Sequence, residues 1–276
     1  MDTLADGVAV VTGAASGIGL ALARRFAGES MSVVMADVEE GALRDAADAV
    51  GAVGPGDVEV VPCDVSDRSS VEALAARTLA RFGGVHVVCN NAGVVTLGST
   101  WEQSDDDWRW VLDVDLWGVV HGVRTFVPIL LRQGVPGHIV NTASIAGLVP
   151  SPTIAPYNAA KAAVIAVSET LDMELRALGA PIGVSVLCPG VVPTRIAESG
   201  RNRPGADGGT EASLDLPTQH DLPPTALTAD QIADRVVDAI VHDRFWIVTH
   251  EGSSELVAER AAGITAGGRP SAPPVF

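Results

Sequence analysis

"VAVVTGAASGIG", residues 8–19, runs from an uncharged, β-branched stretch directly into a turn with three glycines. The first five residues read as a strand covered on both faces. Gly13, Gly17 and Gly19 allow a tight turn in which backbone N–H groups can approach a phosphate at the start of a helix. Alone, such a turn is weak evidence, because many α/β proteins need glycine there for packing. The rest of the chain repeats the unit. Apolar runs recur at 31–36, 58–63, 85–89, 138–143, 183–188 and 245–250, alternating with helical patterns near 17–28, 39–50, 68–82, 105–133, 153–178 and 228–243. Strand and helix in alternation predict an α/β fold: a doubly wound parallel sheet of about seven strands with helices on both faces. With 276 residues, of which 47% are hydrophobic, the chain reads as one domain over 1–276.

The second strand closes on Asp37, 20 residues beyond Gly17. From there a carboxylate reaches the ribose hydroxyls of a dinucleotide and repels a 2′-phosphate. Neither "AAS" (14–16) nor "DVE" (37–39) offers Arg or Lys to welcome one, so NAD is expected over NADP. The other reading of Asp37 is a polar turn residue.

"APYNAAKAAV", residues 155–164, holds the only tyrosine and the only lysine of the chain; the other 17 basic residues are arginine. At i and i+4 on a helix, Tyr157 and Lys161 share a face, about 5–6 Å apart at Cβ. An ammonium beside a phenol favours phenolate, so the Tyr157 pKa is expected to fall towards working pH, which makes a general base. A packed Tyr ring beside a Lys on a solvated edge is the alternative.

The remaining composition excludes several classes. A net charge of −16 argues against nucleic-acid binding, which needs clustered Lys and Arg. Cys63, Cys89 and Cys188 each follow an apolar run, as buried reduced thiols do. No C-x-x-C or H-E-x-x-H pattern suggests a metal. The N-terminus lacks the basic start of a signal peptide, and no apolar run reads as a membrane span, so a cytoplasmic location with no membrane is expected. Residues 195–227, rich in Gly, Pro and Asp, read as a loop or substrate lid, and 264–276 as a flexible tail.

With "TGAASGIG", "NNAG" (90–93), Ser144, "YNAAK" (157–161) and "PGVVPT" (189–194) in this order, the chain resembles the short-chain dehydrogenase/reductase family, in its shorter form, over nearly all of 5–195. The resemblance implies a Rossmann fold and a nicotinamide cofactor. It implies that Gly13, Ser16, Gly17, Ile18 and Gly19 line the phosphates and ribose, with Asp37 on the adenosine ribose and Asp64 and Val65 beside the adenine. Asn91, Ala92 and Gly93 would hold the cofactor side of the central strand. Pro189, Gly190, Val192 and Thr194 would hold the nicotinamide. Ser144, Tyr157 and Lys161 would be catalytic, the last two also touching the cofactor.

One position departs from the family pattern. Asp115 stands where Asn is usual. In the family the residue's backbone carbonyl leads a water towards the Lys, a role that survives the change; an Asp could also pair with Lys161, or be an ordinary polar helix residue. Val94, Val95, Ile145, Leu148, Val149, Val191 and Ile196 are expected around the substrate, an uncharged, fairly apolar secondary alcohol or ketone. Family members are commonly tetramers or dimers, so a homo-oligomer is expected. Three rivals compete with the dehydrogenase: a non-catalytic NAD(H) sensor, a hydrolase using Ser144, and an epimerase or dehydratase. "TASIA" is no nucleophile elbow, and the epimerases' larger C-terminal region is missing.

Overall fold

The computed structural model describes residues 4–205 and 226–273. Seven parallel strands form one sheet in the order β3-β2-β1-β4-β5-β6-β7. They are β1 (Val8–Thr12), β2 (Ser32–Asp37), β3 (Val58–Pro62), β4 (Val87–Asn90), β5 (Gly137–Thr142), β6 (Ile182–Cys188) and β7 (Trp246–Val248). Every apolar run of the sequence supplies one strand. Every strand pairing is parallel, with Val10 of β1 opposite Val34 of β2 on one side and Val88 of β4 on the other. The order reverses between β1 and β4, and ligands of open α/β sheets bind in the crevice at that point.

The period of two along each strand divides the core. Ala9 and Val11 face one layer, where Leu22 and Phe26 of α1 (Gly17–Gly28), Leu43 and Val50 of α2 (Glu40–Gly51), and Ile232, Val236 and Ile240 of α8 (Ala229–Val241) pack. Val8 and Val10 face the other, against Val71 and Leu74 of α3 (Arg68–Phe82), Phe126 and Leu130 of α5 (Gly118–Gln133), and Leu171 and Leu175 of α7 (Ala155–Ala177). The doubly wound Rossmann architecture is therefore realised, with helices on both faces.

Four features depart from the sequence reading. The helix expected over 105–133 is α4 (Asp105–Leu112), a π-helical turn Asp113–Trp117, and α5. Taken together, Asp105–Gln133 is long and apolar enough to cross a membrane, where no such stretch was expected; half of its most apolar window is buried inside the fold. Part of the expected lid is a 3₁₀ helix, Arg195–Asn202, while 206–225 lie outside the described residues. The tail expected from 264 begins as the last turn of α9 (Ser253–Thr265), a helix whose only buried residue is Ser253, so it carries little apolar periodicity to read; 274–276 lie outside the described residues. α6 (Ile145–Leu148) is a single turn between β5 and α7.

His138 on β5 tests the layered core directly. It is buried, with Nε2 2.8 Å from the Ser185 hydroxyl, which itself donates to the Arg244 carbonyl at 2.7 Å. Nε2 therefore carries the proton of a neutral ring. Burial pushes its pKa down to about 4, with the Asp243 charge opposing. An unfolded His binds its proton at about pH 6.5, so this contribution to stability is full above that value and lost as pH falls towards the folded value. Between pH 7 and pH 4.5, urea unfolding of the native chain should lose roughly 2–3 kcal/mol more stability than His138→Gln loses. Equal losses would contradict the assignment.

Candidate active site

The site lies on the C-terminal edge of the sheet, where β1, β4 and β5 end. Thr12, the last residue of β1, clasps β4 to it. Its hydroxyl accepts from the N–H groups of Asn91 (2.9 Å) and Ala92 (3.1 Å) and donates to the Cys89 carbonyl (3.3 Å). The Asn91 amide donates to the Thr12 carbonyl at 3.0 Å and accepts from Thr142 at 3.2 Å, so one side chain joins the ends of three strands. Beneath it a buried polar chain runs from Asn90 to Asn141 (2.8 Å) and on to Ser168 (3.0 Å). Sequence reasoning found Asn91 but not Thr12, Asn90, Asn141 or Ser168, whose partners lie tens of residues away.

The glycine turn fits closely against this clasp. Gly13 adopts φ +67°, and a Cβ there would stand 2.9 Å from the Ala92 Cα. A Cβ on Gly19 would meet the Gly13 carbonyl oxygen at 2.0 Å. The Ser16 side chain makes no capping bond, which leaves the N–H groups in the first turn of α1 for an anion. Gly17 abuts Thr194. Asp37 closes the turn from β2: its Oδ2 accepts from the Ala15 N–H and its Oδ1 from the Glu39 N–H, both at 3.0 Å. The cradle and carboxylate suit a dinucleotide.

Two arginines reach this end of the cleft from far along the chain. Arg201 and Arg195 pair with Glu39, two residues beyond Asp37, and the Asn202 amide adds a bond at 3.1 Å. Burial would raise the Glu39 pKa, but Arg201, Asn202 and Arg195 hold it below the ordinary carboxylate value. The flanking sequence of Asp37 indeed lacks arginine; the 3₁₀ helix supplies it, already neutralised. That helix is fastened elsewhere too, by Ser199, which donates to the Val95 carbonyl and accepts from its N–H, and by Arg203 on Asp107.

The remaining expected cofactor residues are held by bonds and packing within the fold. Asp64 is turned back on Ser66 (2.9 Å from its N–H), and Val65 is buried with its carbonyl on His121. The Pro189 carbonyl accepts from Ile145 at 2.9 Å. His250, which sequence reading did not single out, pins the next two residues: its Nδ1 accepts from the Gly190 N–H (2.9 Å) and its Nε2 lies 3.1 Å from the Val191 carbonyl. Val192 is buried, and Thr194 caps the 3₁₀ helix.

Ser144 sits just past β5 as N-cap of α6, its Oγ accepting from the Ala146 N–H at 3.1 Å. Lys161, on α7, is 2% exposed. Its Nζ lies 5.3 Å from the centre of the Tyr157 ring, donates to the Thr142 carbonyl at 3.0 Å, and stands 3.1 Å from Asp115 Oδ2. The π-helical turn delivers Asp115, fully buried, with Oδ1 accepting from the Val94 N–H at 2.8 Å; such turns recur at functional sites. Burial raises the Asp115 pKa against the pull of Lys161 and the Val94 N–H. Oδ1 nevertheless accepts from the Val94 N–H and Oδ2 lies against the Lys161 ammonium, so the ion pair is the form this geometry holds. Burial would lower the Lys161 pKa, but Asp115 raises it, aided by Tyr157.

One sequence expectation is overturned. The Tyr157 phenol is shifted up, not down: burial raises it, Lys161 opposes, and the Asp115 carboxylate adds to the rise while the Ser144 hydroxyl lowers it. Lys161 does pull the phenol down, but burial outweighs it and the Asp115 carboxylate works against it. Of the expected substrate residues, Val94 packs with Trp110, Val111 and Ala160 beside Tyr157. Val95, Ile145 and Val149 are buried, and Val191 and Ile196 partly so. Leu148 packs on the core cluster of Val164 and Val186.

Comparison with known proteins agrees with this geometry. The family model for short chain dehydrogenase matches residues 7–204. A 1-deoxy-11-beta-hydroxypentalenate dehydrogenase of Streptomyces avermitilis is 40% identical over 249 residues, 90% of this chain and 86% of that protein. A CLA biosynthesis dehydrogenase/reductase of Lactiplantibacillus plantarum is 30% identical over 98% of this chain and 97% of its own. The crystal structure of a short-chain dehydrogenase/reductase from Burkholderia phymatum in complex with NAD superimposes with a TM-score of 0.91 at 42% identity, covering 100% of both chains. The chain belongs to the short-chain dehydrogenase/reductase family of oxidoreductases.

Proposed function

We propose that this protein is an NAD-dependent dehydrogenase acting on a fairly apolar secondary alcohol or the corresponding ketone, with Ser144, Tyr157 and Lys161 as its catalytic residues. The observation that carries the reading is the buried Lys161, the only lysine, under the partly buried Tyr157, the only tyrosine, with Ser144 at the same sheet edge as the glycine cradle and Asp37. A sensor that only bound NAD(H) would have little use for the full Ser144–Tyr157–Lys161 set.

In this reading the nicotinamide, when bound, supplies the acceptor or donor of a hydride at the carbinol carbon. The chain manages the proton. Tyr157 takes the alcohol proton during oxidation and returns it to the carbonyl oxygen during reduction. Ser144 holds that oxygen as its charge changes. Lys161 would hold the nicotinamide ribose while facing the phenol. The glycine cradle and the first-turn N–H groups of α1 would hold the pyrophosphate, and Asp37 the adenosine ribose, favouring NAD over NADP; Arg195 and Arg201, engaged by Glu39, are not free to take a 2′-phosphate.

The residues proposed around the substrate are aliphatic and make no charged clamp. The name of the Streptomyces relative puts a carboxylate on that enzyme's substrate, so a hydroxy acid belongs beside neutral alcohols in any panel. The exposed Leu131 of α5 and Met173 of α7 fit the proposed dimer or tetramer; a cytoplasmic location, away from membrane and nucleic acid, completes the reading.

NAD⁺ reduction over cyclic and acyclic secondary alcohols, followed by nicotinamide absorbance, tests it. Tyr157→Phe should lose at least a hundredfold in kcat, the scale of general acid–base catalysis, with NAD⁺ affinity within a few-fold; a variant keeping most of its rate would sink the mechanism. Lys161→Arg should fail comparably, since the guanidinium keeps the charge without the shape. Gly19→Ala drives a methyl into the Gly13 carbonyl. It should abolish saturable NAD⁺ binding in calorimetry, and unchanged affinity would refute the cradle.

A further inference from the structure

Asp115 places a carboxylate beside Lys161, where the proposed chemistry has no evident need of one. It is 0% exposed, sits in the one π-helical turn among the described residues, and has Oδ2 3.1 Å from Lys161 Nζ with no hydrogen-bond donor aligned on it. Its other oxygen is fixed by the Val94 N–H. Besides Lys161 and Asp115, the groups acting on the phenol are neutral: the Ser144 hydroxyl and, from β6, the Cys188 thiol, which burial pushes up to about 12 so that it carries no charge at neutral pH.

The charge count at the phenol then decides its chemistry. With Lys161 alone, a phenolate would form beside one uncompensated positive charge at short range in a poorly hydrated site. With Asp115 ionised, Lys161 and Asp115 sum to zero, and the phenolate becomes the single uncompensated charge. Building on the proposal that Tyr157 carries the proton, we propose that Asp115 is a positioning residue that cancels the Lys161 charge, so that Tyr157 stands as a proton donor at neutral pH. The site is thereby set for carbonyl reduction near neutrality, and alcohol oxidation requires alkaline conditions. With Asp115 removed, Lys161 stands as an uncompensated opposite charge 5.3 Å from the centre of the Tyr157 ring, and an opposite charge at that range moves a titration by roughly 1–3 pH units.

Because Tyr157 is the only tyrosine, tyrosinate absorbance in the near ultraviolet reports it without background. The full chain is titrated as wild type, Asp115→Asn and Asp115→Ser. The Ser variant removes the charge without setting a second donor against Lys161. Circular dichroism at each pH separates ionisation of the folded chain from alkaline unfolding. Both folded variants should form phenolate about one pH unit or more below wild type, and the rising, acid-side limb of the pH–rate profile for alcohol oxidation should move down with it. Folded variants whose phenol ionises no earlier than in wild type overturn the proposal, and a fall in kcat without any shift of the limb reduces Asp115 to a structural part. The titration needs neither substrate nor cofactor, so its outcome stands apart from that of the dehydrogenase assay.

Discussion

Burying the Lys161 ammonium in an apolar sheet edge costs several kcal/mol unless its charge and its donors are met nearby. Much of the surrounding architecture meets them. The end of β5 offers the Thr142 carbonyl, and the π-helical turn brings the Asp115 carboxylate. Gly147 lets α6 lie directly on the α7 backbone at Lys161, where a Cβ would stand 2.7 Å from the Lys161 carbonyl. A regular α-helix through 105–133 would turn Asp115 elsewhere on its surface, since one extra residue in a turn rotates the rest of the helix about its axis. The irregularity is what joins the helix to the lysine.

The second constraint is the reversal of strand order between β1 and β4. Two parallel strands end side by side there, and their last backbone groups need partners. Thr12 and Asn91 provide them and, with Thr142, tie β5 to the same point. The glycine cradle and the Tyr–Lys–Asp cluster are thus fixed to a single clasp. Across the cleft, the 3₁₀ helix Arg195–Asn202 is strapped to Glu39 from both ends and, through Ser199, to Val95.

The fold was legible because its signals are local. Uniformly apolar runs such as "VAVVT" become doubly covered strands, and Gly13, Gly17 and Gly19 announce the turn after the first of them. Asp37, Ser144, Tyr157 and Lys161 were legible for the same reason, each standing at a fixed offset from a strand or motif. What escaped was set by pairing over long separations. Thr12 looks like any strand-end threonine until it meets Asn91, 79 residues on. Arg201 meets Glu39 across 162 residues, and His250 meets Gly190 across 60. The direction of the Tyr157 shift escaped similarly: the i, i+4 spacing shows Lys161 and the sequence offers Asp115 as a possible partner, whereas the burial that outweighs Lys161 comes only with the tertiary fold. α9 stayed hidden because an exposed helix needs no apolar stripe.

The most direct test of the account is a crystal structure of the protein soaked with NAD⁺ and an alcohol it turns over. The pyrophosphate should lie on the first-turn N–H groups of α1, the adenosine ribose on Asp37, and the nicotinamide ring beside Tyr157, with Lys161 still between Asp115 and the Thr142 carbonyl. A dinucleotide bound away from the glycine turn, or a nicotinamide that leaves Tyr157 out of reach of the alcohol oxygen, would contradict it.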